Sequence, residues 1–259
     1  MFTRVLRFSL FFICVTTILN AQQPVKDKNF HLYILMGQSN MAGRGPLTEN
    51  LKQLQNNRVY VLDKNNEWKI AKHPLHFDKP TMAAAGPGLS FGIKMAEQDT
   101  SIRIGLIPCA VGGTSINKWA PGVLDNVTKT HPYDDAVLRI KEAMKYGVIK
   151  GMIWHQGEAD SKSKCEEYTG KFKELTDRVR KLTKNKKLPI VAGELGQFKE
   201  QYILMNKCLS RLPLTVKKMD VVTAENLKDK GDLTHFDGAS ANEYGKRYAD
   251  AMLKLQGKE

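Results

Sequence analysis

The strongest constraint on this chain is an alternation. Short runs that are apolar on successive residues take turns with longer segments whose apolar residues recur at helical spacing. The runs are His31 to Met36, Ile102 to Pro108, Ile149 to Gln156, Leu188 to Glu194 and Met219 to Ala224. Between and after them, Leu89 to Gln98, Asp134 to Tyr146, Cys165 to Thr183, Tyr202 to Leu212 and Glu243 to Leu255 read as helices. Arg58 to Asp63 and Glu67 to Ala71 read as two short strands around the turn Lys64-Asn65-Asn66. Strands apolar on both faces and separated by helices form a parallel sheet covered on two sides, so the expected architecture is a three-layer α/β/α sandwich with a mainly parallel central sheet. No repeat or low-complexity linker divides the chain, and its 259 residues suit one domain over residues 22–259.

The first residues are of another kind. Arg4 and Arg7 precede the apolar run Phe8 to Leu19, and Asn20-Ala21-Gln22 follows. A basic start, a short apolar stretch and a small residue at the cut are the marks of a signal peptide, here residues 1–21. The stretch is short for a membrane span, and the bulky Phe11-Phe12-Ile13 before Cys14 does not suit a lipid-anchor cleavage site. The expectation is a secreted or periplasmic protein with no stable membrane anchor.

Loss of Arg4 and Arg7 takes the formal charge from +13 to +11. The lysines are spread along predicted helices. The densest run, Arg180 to Lys187, lies between a helix and a strand with no aromatic ladder, so a solvated surface is expected and nucleic acid is not. Cys109, Cys165 and Cys208 remain after cleavage, enough for one disulfide and a free thiol or for three thiols. No metal-ligand spacing occurs, and neither metal nor cofactor is called for.

In open parallel sheets the loops at the carboxyl ends of the strands share one edge, where ligands bind. Three such loops carry chemistry. Gly37-Gln38-Ser39-Asn40 offers a serine just past a strand, Gly112-Gly113-Thr114 offers unobstructed backbone N–H groups, and Gln156 offers an amide donor. Before the last helix, Asp232-Leu233-Thr234-His235 can turn a carboxylate toward its own histidine, leaving the other ring nitrogen for a serine proton. Acid, base, hydroxyl and oxyanion donors are the minimum set for acyl transfer. Ser39 does not stand in the Gly-x-Ser-x-Gly elbow of α/β-hydrolases, since Met41 occupies the place of the second glycine.

Five blocks in order carry a family resemblance. They are Gly37 to Gly45 (GQSNMAGRG), Gly86 to Gly92 (GPGLSFG), Gly105 to Thr114 (GLIPCAVGGT), Trp154 to Asp160 (WHQGEAD) and Asp232 to Phe236 (DLTHF). Together they resemble the SGNH hydrolase superfamily, whose fold is flavodoxin-like. More narrowly, they look like its sialate O-acetylesterase-like (SASA) branch, with the family 6 carbohydrate esterases that include acetylxylan esterases. The resemblance implies Ser39 as nucleophile, His235 as base and Asp232 as acid, with Ser39, Gly113 and Gln156 as oxyanion donors. Gly112 is a near rival to Gly113. Glu158, two residues past Gln156, is a second candidate for the acid. The implied activity is removal of O-acetyl groups from polysaccharide or glycan, acetylated xylan first and O-acetyl sialic acid second. A non-catalytic carbohydrate-binding protein on the same fold is the alternative of another class. Trp119 and Phe236 stand beside the candidate loops as aromatics able to stack on a sugar.

Overall fold

The computed structural model describes residues 24–258, so the segment read as a signal peptide lies outside the described residues. Among the described residues seven strands form one sheet: β1 (Phe30–Gly37), β2 (Val59–Leu62), β3 (Trp68–Ile70), β4 (Arg103–Pro108), β5 (Val148–His155), β6 (Ile190–Gly193) and β7 (Met219–Val222). Their order is β3-β2-β4-β1-β5-β6-β7. All neighbouring pairs are parallel except β2 with β3, which form the short hairpin expected from the sequence. Helices fill the connections: α1 (Ser39–Ala42), α2 (Glu49–Gln53), α3 (Gly88–Glu97), α4 (Pro132–Ala143), α5 (Cys165–Leu182), α6 (Glu200–Leu209), α7 (Leu212–Thr215) and α8 (Gly238–Gln256). Among the described residues no helix is long and apolar enough to cross a membrane.

β1 sits at the centre, and its alternation divides the core. Leu32, Ile34 and Met36 face a cluster with Trp119, Trp154, Tyr168 and Phe172. Tyr33 and Leu35 face the opposite cluster, with Phe91, Tyr244, Tyr248 and Met252. A strand buried on both faces cannot slip by one residue without exchanging its two sets of side chains, which fixes the register of the whole sheet. α5 shows why these segments are helical. Tyr168, Phe172, Leu175, Thr176 and Val179 are buried at helical spacing along one stripe. Cys165, at its first turn, is disulfide-bonded to Cys208 of α6, and Cys109 is a buried free thiol whose pKa burial pushes up to about 12.

Of the boundaries that differ from expectation, two have a plain local cause. α8 begins at Gly238 because the Asp237 side chain caps it, accepting the Ser240 N–H at 2.7 Å. The segment Tyr202 to Leu212 ends at Leu209, and a new short helix begins at Leu212, where Pro213 occupies a first-turn position that tolerates its missing N–H. The basic run after α5 is also less uniformly solvated than its composition implies. Arg180 is buried, and its guanidinium donates to the Leu188 and Lys217 carbonyls, pinning the entrance to β6.

Candidate active site

At the end of β1 the chain approaches β5 so closely that a Cβ on Gly37 would lie 2.0 Å from the His155 carbonyl oxygen. With φ at +129° the position favours glycine twice over. The Gln38 N–H then donates to that same carbonyl at 2.9 Å, and Ser39 opens α1. Ser39 is therefore held at the carboxyl edge of the central strand, with its own N–H at the start of a helical turn.

The last loop brings the histidine to it. Asp229 Oδ2 accepts the Gly231 and Leu233 N–H groups at 2.9 and 2.7 Å and winds the loop tightly. Asp232 Oδ1 accepts the Thr234 and His235 N–H groups at 3.0 and 2.8 Å, and its Oδ2 lies 2.7 Å from His235 Nδ1. His235 Nε2 is 3.0 Å from Ser39 Oγ. With Nδ1–H donating to the carboxylate, Nε2 presents a lone pair to the serine hydroxyl. Partial burial works against the Asp232 charge. The hydrogen bonds from the His235 ring and from the His235 and Thr234 N–H groups outweigh it and hold the carboxyl well below the usual carboxylate range. The site grades outward, with Ser39 7% exposed and the Asp232 side chain 38% exposed.

Asn40, which sequence reasoning left without a role, ties the two loops together. Its Nδ2 donates to the Thr234 carbonyl at 3.0 Å, and its Oδ1 accepts the Phe236 N–H at 3.1 Å. The residue after the serine thus grips both neighbours of the histidine. The same Nδ2 donates to Glu158 Oε1 at 2.6 Å. Glu158 Oε1 also lies 3.3 Å from His155 Nε2. Burial alone would raise the Glu158 pKa, but the adjacent His155 ring and the Asn40 amide bring it below its ordinary value. The contacts of Glu158 are with Asn40 and His155, whereas Asp232 is the carboxylate on the His235 ring. As second candidate for the acid, Glu158 acts instead as the anchor of Asn40.

Gln156 departs from its expected place. Its side chain is fully buried, and its Nε2 donates to Asp160 Oδ2 at 2.5 Å, the Thr114 carbonyl at 3.1 Å and Gln38 Oε1 at 3.2 Å. Two amide hydrogens shared among three acceptors leave none for a developing oxyanion. The competing acceptor, Asp160, also takes the Ile116 N–H at 2.8 Å. Its pKa is raised because burial outweighs these hydrogen bonds. Gln156 therefore braces the loop that carries Gly113, its amide hydrogens engaged within the protein.

That loop runs along the end of β1, with the Cys109 and Val111 N–H groups donating to the Leu35 and Gly37 carbonyls at 2.9 and 3.0 Å. The Gly112 N–H is taken by Asp78 Oδ2 at 2.8 Å. Gly113 follows at φ +87°, where a Cβ would meet Lys79 Nζ at 4.0 Å, and its N–H, like that of Ser39, has no acceptor among the described residues. Gly113 is accordingly the better donor of the two glycines. Trp119 and Phe236, considered as sugar-stacking aromatics, are 1% and 3% exposed and belong to the cores. Phe236 packs edge-on against His155, Phe198 and Tyr244. A partly open pocket of about 160 Å³ lies behind the same loop, lined by His76, Asp78, Cys109 and Arg139 among others, and does not include Ser39 or His235.

Residues 29–254 match the family of carbohydrate esterases described as sialic acid-specific acetylesterases. The chain belongs to this family. It is 31% identical to a probable carbohydrate esterase of Arabidopsis thaliana over 262 residues, covering 90% of this chain and 93% of that one. The X-ray structure of that plant protein superposes with a TM-score of 0.77 at 28% identity, over 88% of this chain and 99% of the other. NanS matches with a TM-score of 0.72 at 16% identity, over 91% and 100% of the two chains. A carbohydrate acetylesterase from Xanthomonas citri matches with a TM-score of 0.68 at 17% identity, over 88% of this chain and 57% of its own. At such identities the last two establish a shared fold, the α/β sandwich expected from the alternation.

Proposed function

We propose that this family member is a serine esterase that removes O-acetyl groups from carbohydrate through an acetyl-enzyme. The observation that carries the reading is the line of contacts from Ser39 Oγ to His235 Nε2 (3.0 Å) and from His235 Nδ1 to Asp232 Oδ2 (2.7 Å). His235 takes the Ser39 proton as Oγ attacks the acetyl carbonyl, and Asp232 stabilises the imidazolium that forms. The Ser39 and Gly113 N–H groups receive the oxyanion, the kind of preorganised donor worth roughly 3–4 kcal/mol each. Collapse of the tetrahedral intermediate expels the sugar alkoxide, which His235 protonates. Water, deprotonated by the same histidine, then attacks the acetyl-enzyme and releases acetate and free Ser39. The acid–base cycle closes without a further reactant.

Substrate class follows from the family and from the predicted export. An esterase outside the cytoplasm would meet O-acetylated polysaccharide or glycan. Acetylated xylan is the first choice. O-acetyl sialic acid is the second, favoured by the family description. A non-catalytic carbohydrate binder would have no use for a serine, histidine and carboxylate in hydrogen-bonded sequence. The test is acetate release from acetylated xylan, acetylated glucomannan, pectin and O-acetyl sialic acid, with Ser39→Ala as control. Ser39-dependent release from one class assigns the substrate, and no release from any of them by folded wild type refutes the reading.

A further inference from the structure

Behind the oxyanion loop lies a buried ion pair for which the chemistry above has no use. Arg44 Nη2 and Asp78 Oδ2 are 2.6 Å apart, and both side chains are 2% exposed. Arg44 belongs to the nucleophile turn, five residues past Ser39, and its Nη1 donates to the Gly43 carbonyl at 2.7 Å. Asp78 comes from the irregular segment between β3 and α3. The same Oδ2 that meets Arg44 accepts the Gly112 N–H at 2.8 Å. One carboxylate oxygen therefore joins the turn that carries Ser39 to the loop that carries Gly113. The fit is tight, since a Cβ on Gly112 would lie 2.6 Å from Arg44 Nη2, 2.9 Å from Asp78 Oδ2 and 3.5 Å from Ser39 Cβ.

We infer that Asp78 is a positioning residue that sets the Gly113 N–H against Ser39, acting through Arg44 and Gly112; the inference rests on the esterase reading above. Three observations carry it. Gly112 immediately precedes the donor, so taking its N–H leaves that of Gly113 as the next free N–H on the loop. The opposite end of the loop is fixed independently by Gln156 on the Thr114 carbonyl and by Asp160 on the Ile116 N–H. Without Asp78 the Gly112 N–H would lose its acceptor, and the pairing of Val111 with β1 would be the one remaining hold on the near end of the segment. Finally, Asp78 Oδ1 has no partner among the described residues. The carboxylate is thus oriented by its Oδ2 contacts alone, as a brace between two loops would be. Electrostatic stabilisation depends on donors fixed before reaction, and a displacement near 1 Å costs on the order of 100-fold in rate.

The experiment compares three variants by kcat and KM on 4-nitrophenyl acetate, and by inhibition with methylboronic acid. The tetrahedral boronate adduct on Ser39 places a negative oxygen where the oxyanion forms. Asp78→Asn can keep an oxygen at the Oδ2 position and a nitrogen at the unpartnered one, and is expected to retain kcat within about fivefold. Asp78→Ala is expected to lose about 30- to 100-fold in kcat, with KM within threefold and boronate affinity reduced in parallel with kcat. The double variant Arg44→Met with Asp78→Leu removes both charges, so no unpaired ion is left buried. It is expected to fold, as read by circular dichroism and thermal melting, and to be as slow as Asp78→Ala. A folded Asp78→Ala or double variant with kcat within threefold of wild type overturns the inference. So does a rate loss with unchanged boronate affinity, or failure of both variants to fold, which would make the pair a support of the fold. Wild type without Ser39-dependent hydrolysis would instead overturn the esterase reading itself.

Discussion

Replacing Asp232 with asparagine tests which carboxylate serves His235. In wild type the Asp232 oxygen lies 2.7 Å from Nδ1, which puts the centres of the two charges about 4 Å apart once the imidazolium forms. At the effective dielectric of a protein surface that pair is worth about 4 kcal/mol. The Asp232 side chain is 38% exposed, so solvent screening reduces the figure to about 2–3 kcal/mol. Each 1.36 kcal/mol is tenfold in rate, so the charge accounts for about 30- to 150-fold in kcat. The asparagine can still accept the Thr234 and His235 N–H groups through its carbonyl oxygen, so the loop should keep its shape and KM should hardly move. Its NH2 then faces Nδ1 and favours the tautomer with the proton on Nε2, so the total loss in kcat should exceed the charge figure and approach about 10,000-fold. Glu158→Gln is the control. It preserves an acceptor for Asn40 and touches no atom of His235, so it should cost less than tenfold. Steady-state hydrolysis of 4-nitrophenyl acetate measures both. Near-full activity in Asp232→Asn together with deep loss in Glu158→Gln would refute the assignment of the acid.

Three further expectations follow from the same contacts. Gln156→Ala should lower kcat by about tenfold or less, because that side chain braces the oxyanion loop; a loss of 100- to 1000-fold, the mark of a direct oxyanion donor, would reinstate it as one. Asn40→Asp sets a carboxylate against Glu158 at hydrogen-bond distance and removes the donor to the Thr234 carbonyl, so kcat should fall more than in Asn40→Ala, itself about 10- to 100-fold down. Stability should decline on acidification below neutral. Burial depresses His31, His73 and His76 from 6.5 to about 4. Between those values the unfolded chain binds protons that the folded chain refuses, so stability falls as pH drops through this window, by about 2–3 kcal/mol at most for each of the two deeply buried rings and less for half-buried His31. Asp232 adds its loss only below about pH 4, where the unfolded carboxylate protonates and the folded one does not. Urea midpoints at pH 7, 5.5 and 4 should decrease in order, and His73→Phe should flatten the series.

Much of this molecule was legible because its decisive signals are local. The apolar run of β1 is buried on both faces, and its short length and the Gly-Gln-Ser-Asn turn that bounds it favour a buried strand. The Asp232–His235 pair is likewise local, closed by hydrogen bonds across three residues. What stayed illegible depends on partners far apart in the chain. Gln156 carries the right group at the right strand end, but the acceptors that consume its amide are the Thr114 carbonyl, Gln38 and Asp160, brought in by folding. Asn40 carried no legible role, because the main chain it grips, at Thr234 and Phe236, is 194 and 196 residues away. Trp119 and Phe236 had the composition of a sugar platform, and only their burial identifies them as core. Asp78 carried no motif at all; its role rests on a contact with Arg44 that an irregular segment of chain delivers. The start of α8 was available, since Asp237 before Gly-Ala-Ser is a good helix cap, yet the apolar periodicity that drew attention begins further on.

The central claim is a covalent acetyl group on Ser39, and acid-quenched mass spectrometry tests it most directly. 4-Nitrophenyl acetate has a good leaving group, so acylation outruns hydrolysis and the intermediate accumulates in the first turnovers. The account predicts a mass gain of one acetyl group, mapped to the peptide that contains Ser39 and absent from Ser39→Ala. Turnover without any adduct, or an adduct on another residue that persists in Ser39→Ala, would contradict it.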